Sequence, residues 1–258
     1  MSRVKRALYD RIGASYRATR REDPRIARAI WNALGDAVSV VNVGAGAGAY
    51  EPSDREVLAV EPSEVMVAQR PAGSAPVVQG EAEALPFEDD SFDAAMAVLS
   101  DHHWRRRTDG MRELRRVARR RVVLFNADPA QAERFWLTRD YLPSFLDMIP
   151  APYRRPGHWA AELASLLGGE LRVVPVPIPH DCRDGFYGAY WRRPRSYLDR
   201  QVRDGISVFA QLPREAVAAA VERLASDLDD GSWRARHAAL LEQDELDLGY
   251  ALVVVELE

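Results

Sequence analysis

The 258-residue chain has one cysteine, Cys182, one lysine, Lys5, and no apolar run approaching eighteen residues. Each scarcity excludes something. A lone thiol closes no internal disulfide, and with no second cysteine nearby it is a poor start for a structural metal site, so no metal is expected. The missing apolar run removes any candidate membrane-spanning helix. The opening MSRVKRALYDRIG mixes charged and apolar positions and lacks the apolar stretch of a secretory signal. The expectation is a cytoplasmic protein without membrane insertion. Positive charge is not in surplus either: 35 basic residues against 39 acidic ones leave a formal charge of −4. That offers no net attraction to phosphate backbones or anionic lipid, and nucleic acid is not an expected partner. Arginine carries nearly all the positive charge, which reads as coding bias and assigns no function.

A hydrophobic share of 47% lets one α/β domain bury a substantial core. Residues 3–34 mix apolar and basic positions at helical spacing, broken near Pro24, which predicts two helices before the first strand. Short apolar, β-branched runs follow at residues 38–43, 56–60, 76–79, 92–98 and 121–125, the pattern of parallel strands buried on both faces. Helical patterns between them, clearest at residues 111–119, supply the crossovers. Residues 129–167 read instead as aromatic-rich helices inserted over the sheet. Strand-like runs return at 171–176 and 248–257, around a segment holding Phe186, Tyr187, Tyr190, Trp191 and an alanine-rich helix at 214–228. The expected fold is α/β: a seven-stranded, mostly parallel sheet with helices on both faces. The whole chain, 1–258, reads as one domain, with a helical lid over 1–36, core strands over 38–126, cap insertions at about 128–168 and 183–236, and a terminal strand at 248–257.

The strongest local signal is VVNVGAGAG at residues 40–48, a strand running into glycines at alternate positions. Glycine there lets backbone approach a ligand without a Cβ in the way. Glu61 ends the next strand, at the carboxyl edge where open α/β sheets bind ligands, and its two oxygens can take both hydroxyls of a ribose. A dinucleotide would need a helix N-terminus inside the glycine loop for its pyrophosphate. Only residues 49–55 remain before the second strand, with Pro52 among them, which disfavours such a helix. A nucleoside cofactor without phosphate has no such need.

Together VVNVGAGAG, VLAVEPS at 57–63, GEAEALPFEDDSFDAAMAVLSDHHW at 80–104 and RVVLF at 121–125 resemble the class I S-adenosylmethionine-dependent methyltransferases, with their Rossmann-like sheet, especially the group that includes ubiquinone and menaquinone methyltransferases. The resemblance is ordered and spans residues 38–126. It implies S-adenosylmethionine as cofactor and methyl transfer to a small molecule. It also implies Gly44, Ala45, Gly46 and Gly48 beside the methionine part, Glu61 and Pro62 at the ribose, and Met66, Glu81, Ala82 and Glu83 near adenine. Leu99 and Ser100 would face the cofactor from the substrate side, and Tyr16 and Arg20 are candidates for its carboxylate. The sequence departs from the group at Asn42, where an acid is usual, and at Arg119, Arg120 and Arg121, which replace a Pro-Gly-Gly turn.

If the acceptor must lose a proton, His102 and His103 are the best-placed bases and Asp184 a second candidate, which an Asp-Gly turn would equally explain. Phe135, Tyr141, Phe186, Tyr187 and Tyr190 are candidates to close an apolar cap, or simply to pack together. Three other functions remain open at this level: an enzyme using the cofactor for something other than methylation, an NAD(P)-dependent oxidoreductase, and a noncatalytic binding protein. The acceptor and the oligomeric state are not written in the sequence.

Overall fold

A computed structural model describes residues 19–257. The first helix, α1 (Pro24–Ala33), starts because Asp23 caps it, its side chain accepting from Arg25 N at 3.0 Å, and because Pro24 supplies a preset first turn. The other helix expected before the first strand falls outside the described residues, as does Tyr16.

Strands β1 (Ser39–Val43), β2 (Glu56–Val60), β3 (Val77–Val78), β4 (Phe92–Val98), β5 (Ala118–Ala127) and β6 (Glu170–Pro175) form one sheet with β9 (Tyr250–Glu256). Between β6 and β9 the chain adds a separate two-stranded ribbon, β7 (Ile178–Pro179) with β8 (Glu245–Leu246). The seven-stranded order is β3-β2-β1-β4-β5-β9-β6, parallel except for β9, which runs against both neighbours. From β1 the chain moves outward to β2 and β3, then crosses back to β4 on the other side of β1. A crevice therefore opens at the carboxyl ends of β1 and β4, where ligands bind in doubly wound sheets.

Alternation along each strand divides the core into two layers. Val40, Met96, Val123, Phe125 and Val254 face α1 and the aromatic cap. Val41, Ala95, Val122, Leu124 and Val253 face the opposite layer, built by α3 (Arg107–Val117) and α4 (His158–Leu167) through Met111, Leu114, Trp159 and Leu163. The short α2 (Glu64–Val67) follows β2, and the alanine-rich α5 (Arg214–Asp229) lies in the cap. α4 therefore departs from the expectation of an insertion spanning 129–167. Its apolar face covers the sheet as a crossover helix leading into β6, while the short turns at Pro129–Arg134, Leu137–Tyr141, Ser144–Asp147 and Ala151–Arg154 precede it.

β5 also begins three residues before the apolar run predicts. Arg119, Arg120 and Arg121 continue α3 directly into the strand and pair with Asp93, Asp36 and Glu256. Ion pairing at a sheet end stands where the family has its Pro-Gly-Gly turn. Among the described residues no helix is long and apolar enough to cross a membrane.

Candidate active site

At the carboxyl end of β1 the backbone turns through Gly44, Gly46 and Gly48 at φ of 71°, 54° and 86°, left-handed values that disfavour any Cβ. Gly44 is also held by close contact, since an added Cβ would lie 2.6 Å from that of Ser100. The Ser100 hydroxyl donates to the Val43 carbonyl at 3.0 Å, tying the loop to the end of β4. No helix intervenes between β1 and β2; residues 44–55 are turns and bends.

Glu61, 5% exposed, sits opposite the loop. One carboxylate oxygen accepts from Gly46 N at 2.8 Å and the other from Ser63 N at 2.9 Å. Met66 is buried against the same glycine; a Cβ there would lie 3.3 Å from its methyl. Beneath the loop, Asn42 donates through Nδ2 to Glu51 at 3.1 Å, and Glu51 is paired with Arg70 at 2.7 Å. The Asn42 Oδ1 is buried without a hydrogen-bond partner, a costly state that invites a donor from a ligand. A bare backbone cradle, a fixed carboxylate and an orphaned acceptor fit a nucleoside cofactor with an ammonium end.

Past β4, Leu99 adopts φ 48° and donates its N–H to the Phe125 carbonyl at 2.8 Å. The chain then tightens into the 3-10 turn Asp101–His103. Here begins a cavity of about 420 Å³, whose wall includes Leu99, His102, His103 and Arg20 together with Phe135, Phe145, Phe186, Tyr187 and Ile206. His102 is exposed and His103 is half-buried, and both line the cavity. Desolvation by the neighbouring protein pushes both below the ordinary histidine value, His103 further, helped by the neighbouring His102 and Arg20. The imidazoles pack together with ring centres 3.9 Å apart. Both are neutral near pH 7.

Known proteins share this sequence pattern and fold. A methyltransferase domain model matches residues 41–125. A crystal structure of a methyltransferase ascribed to an antibiotic biosynthesis pathway of Anabaena variabilis is 32% identical, covers 93% of this chain and 99% of its own, and superposes with a TM-score of 0.82. This chain belongs to the class I S-adenosylmethionine-dependent methyltransferases. Its cofactor is S-adenosylmethionine. The uncharacterized methyltransferase YcgJ of Bacillus subtilis is 31% identical over 115 residues, 40% of this chain and 41% of that protein, so the match spans less than half of that curated relative. Phosphoethanolamine N-methyltransferase 2 of Haemonchus contortus, solved with S-adenosylmethionine, covers 97% of this chain and 59% of its own at 13% identity with a TM-score of 0.56, a likeness of fold alone.

Within this methyltransferase the glycines, Ala45, Glu61, Pro62, Met66, Leu99 and Ser100 converge on one sheet edge. Ala82 is buried nearby in sequence, whereas Glu81 is exposed and pairs with Arg105 at 3.6 Å, and Glu83 accepts from Arg106 N at 3.0 Å. Asp184 is placed differently from the two histidines. It is 1% exposed, takes a two-pronged contact from Arg20 at 2.6 and 3.2 Å and the Tyr50 hydroxyl at 2.9 Å, and is absent from the cavity wall. Those bonds make it an anchor for Arg20, which does reach the wall. Tyr141 and Tyr190 likewise stand off the cavity, Tyr141 donating to Asp227 at 2.6 Å. The Cys182 thiol is buried and pushed up to about 12 by that burial, so it is unreactive near neutrality. The oxidoreductase alternative fails on the family match and on the missing helix after the glycines. Among the described residues, no group of three or more metal-ligating side chains could hold an ion.

Asn126, Asp101 and Arg107 were not expected in the site. Asn126 accepts Ala127 N at 2.8 Å and donates to Asp101, whose other oxygen takes Arg107 Nε at 2.8 Å. An asparagine directly after the apolar run 122–125 was the available signal.

Proposed function

We propose that this methyltransferase modifies a small, largely apolar molecule held in the cavity beyond β4. The observation that carries this reading is that cavity, about 420 Å³ and lined mainly by aromatic and aliphatic side chains, beginning at Leu99 beside the glycine loop. Its size and lining suit a metabolite rather than a polymer. An acceptor of natural-product type is supported by the Anabaena variabilis relative and its ascribed pathway. A cytoplasmic setting belongs to the same reading, supported by a solitary buried cysteine.

In this reading Gly44, Ala45, Gly46 and Gly48 receive the methionine part of the cofactor, and the orphaned Asn42 Oδ1 accepts from its ammonium. Glu61, fixed by Gly46 N and Ser63 N, takes the ribose beside Pro62; Met66, Glu81, Ala82 and Glu83 border the adenine. Leu99 and Ser100 separate cofactor from acceptor, and Arg20, anchored by Asp184, closes the junction. When bound, S-adenosylmethionine supplies an electrophilic methyl on a sulfonium. The chain's task is to hold the acceptor's lone pair in line with that methyl and to keep water out, which the aromatic wall does. The acceptor gains a bond to carbon as the carbon–sulfur bond breaks. Any proton it sheds goes to a neutral imidazole of the 102–103 pair.

Incubating the full chain with methyl-deuterated cofactor and metabolite extracts, followed by mass spectrometry, tests the proposal. A labelled organic product of low mass is the expected outcome. Cofactor consumed with its label in no acceptor would favour the alternative use of S-adenosylmethionine, and label found only on macromolecules would overturn the small-molecule reading.

A further inference from the structure

The two neighbouring histidines are distinguished by one amide. Asn126, the penultimate residue of β5, is buried, and two unlike partners fix its orientation. Its Oδ1 accepts the N–H of Ala127 at 2.8 Å, and its Nδ2 donates to the Asp101 carboxylate. A backbone N–H cannot accept and a carboxylate ion cannot donate, so the amide cannot be turned around. The Asp101 carboxylate is itself held by Arg107 Nε at 2.8 Å.

The same Nδ2 faces His102 Nδ1 at 3.4 Å. Two N–H groups do not point at each other at that distance, so Nδ1 must present its lone pair. A neutral imidazole carries a single proton, which therefore sits on Nε2. Charging the ring by adding a proton at Nδ1 would set N–H against N–H. It is further opposed by desolvation of the ring and by the Arg20 and Arg107 guanidiniums; the Asp101 carboxylate acts the other way, and the His103 ring packs against that of His102. No described group takes a hydrogen bond from Nε2, and His102 lies in the cavity wall.

We infer that His102 is a fixed Nε2–H hydrogen-bond donor to the acceptor and not its base, and that the acceptor presents an oxygen or nitrogen lone pair to it. The inference rests on the reading of the cavity as the acceptor site. Asp101 and Asn126 are then positioning residues that set a tautomer. Deprotonation, where the acceptor requires it, falls to His103.

Two measurements separate the tautomer from the reading beneath it. In the full chain labelled with ¹⁵N-histidine and saturated with adenosylhomocysteine, long-range ¹⁵N–¹H spectra at pH 7 should show the Nε2–H pattern for the ring whose signals vanish in His102→Gln. Asn126→Ala should convert that pattern to a tautomer mixture. An Nδ1–H pattern or an imidazolium in the unmodified chain overturns the inference. The second measurement compares binding of 2-acetylnaphthalene with that of 2-ethylnaphthalene, which has the same shape but no carbonyl. The ketone should bind roughly tenfold tighter, the size of one hydrogen bond. That preference should survive in His102→Gln, which retains an N–H, and vanish in His102→Ala. Equal affinities in the unmodified chain overturn the donor role even with the tautomer established. Binding of neither compound overturns the acceptor-site reading and the donor role with it, leaving the tautomer spectrum as a separate result.

Discussion

The two sides of the Leu99–Ser100 junction are built from different materials. On the side proposed for the cofactor the surface is backbone: glycines in left-handed turns and one carboxylate anchored by main-chain N–H groups. On the side proposed for the acceptor it is side chains, contributed by segments that lie far apart in sequence, such as Phe135, Phe186 and Ile206. Backbone geometry is dictated locally and tolerates little change, which suits a ligand that never varies. A wall of side chains can be recut without disturbing the sheet, which suits a ligand that differs from one methyltransferase to another.

The comparison breaks most readily at the cap. Trp136 is 1% exposed, donates through Nε1 to the Trp191 carbonyl at 2.8 Å and packs edge-on against Trp233 at 5.2 Å. Trp136→Ala should lower unfolding stability by about 3 to 5 kcal/mol in guanidinium titrations, the usual cost of removing a large buried aromatic. If the two sites are separately built, adenosylhomocysteine affinity should stay within about threefold in the folded variant; a larger loss would show that the cap also shapes the cofactor edge.

The mirror experiment is Gly46→Val. A β-branched residue at φ 54°, with Met66 3.3 Å from its Cβ, should weaken adenosylhomocysteine binding more than about 100-fold by calorimetry. Binding of the naphthalene ketone should persist. Smaller again is Glu61→Ala, expected to cost about 1.5 to 3 kcal/mol of cofactor affinity, the scale of charge-assisted hydrogen bonds. Unchanged affinity would refute the ribose assignment and leave Glu61 as a support for Gly46 and Ser63.

The gentlest probe is pH. Burial holds His103 well below its ordinary value, so the unfolded chain takes up a proton near pH 6.5 while the folded chain does not. Stability is then fully present above that pH and is lost as pH falls from about 6.5 toward the folded value, with a limiting slope of about 1.4 kcal/mol per pH unit for one such group. His103→Gln should flatten that slope in acid-side melting curves. An unchanged slope would mean that the ring is already solvated, in conflict with the enclosed wall described above.

The cofactor edge was far more legible in the sequence than the acceptor wall. Strand runs at 56–60 and 92–98 coincide with β2 and β4, because residues buried on both faces leave continuous apolar runs. The glycines and Glu61 were readable for a similar reason: their conformations depend on neighbours within a few positions. Helix α4 misled because an aromatic helix under a sheet and one over it have the same periodicity. Asp184 misled because an Asp-Gly pair does not reveal a partner 164 residues away at Arg20.

The sequence by itself determined a mostly parallel sheet, a glycine turn followed by an acid at its carboxyl edge and the pair His102–His103 beyond β4, since each follows from local periodicity, glycine stereochemistry or short spacing. Only the tertiary structure decided which side chains wall the cavity, that Asp184 anchors Arg20 in place of lining that cavity, and that Asn126 meets His102 across 24 positions. Those facts depend on where crossovers return the chain and on the direction in which an amide is held, and no pattern within one segment encodes either.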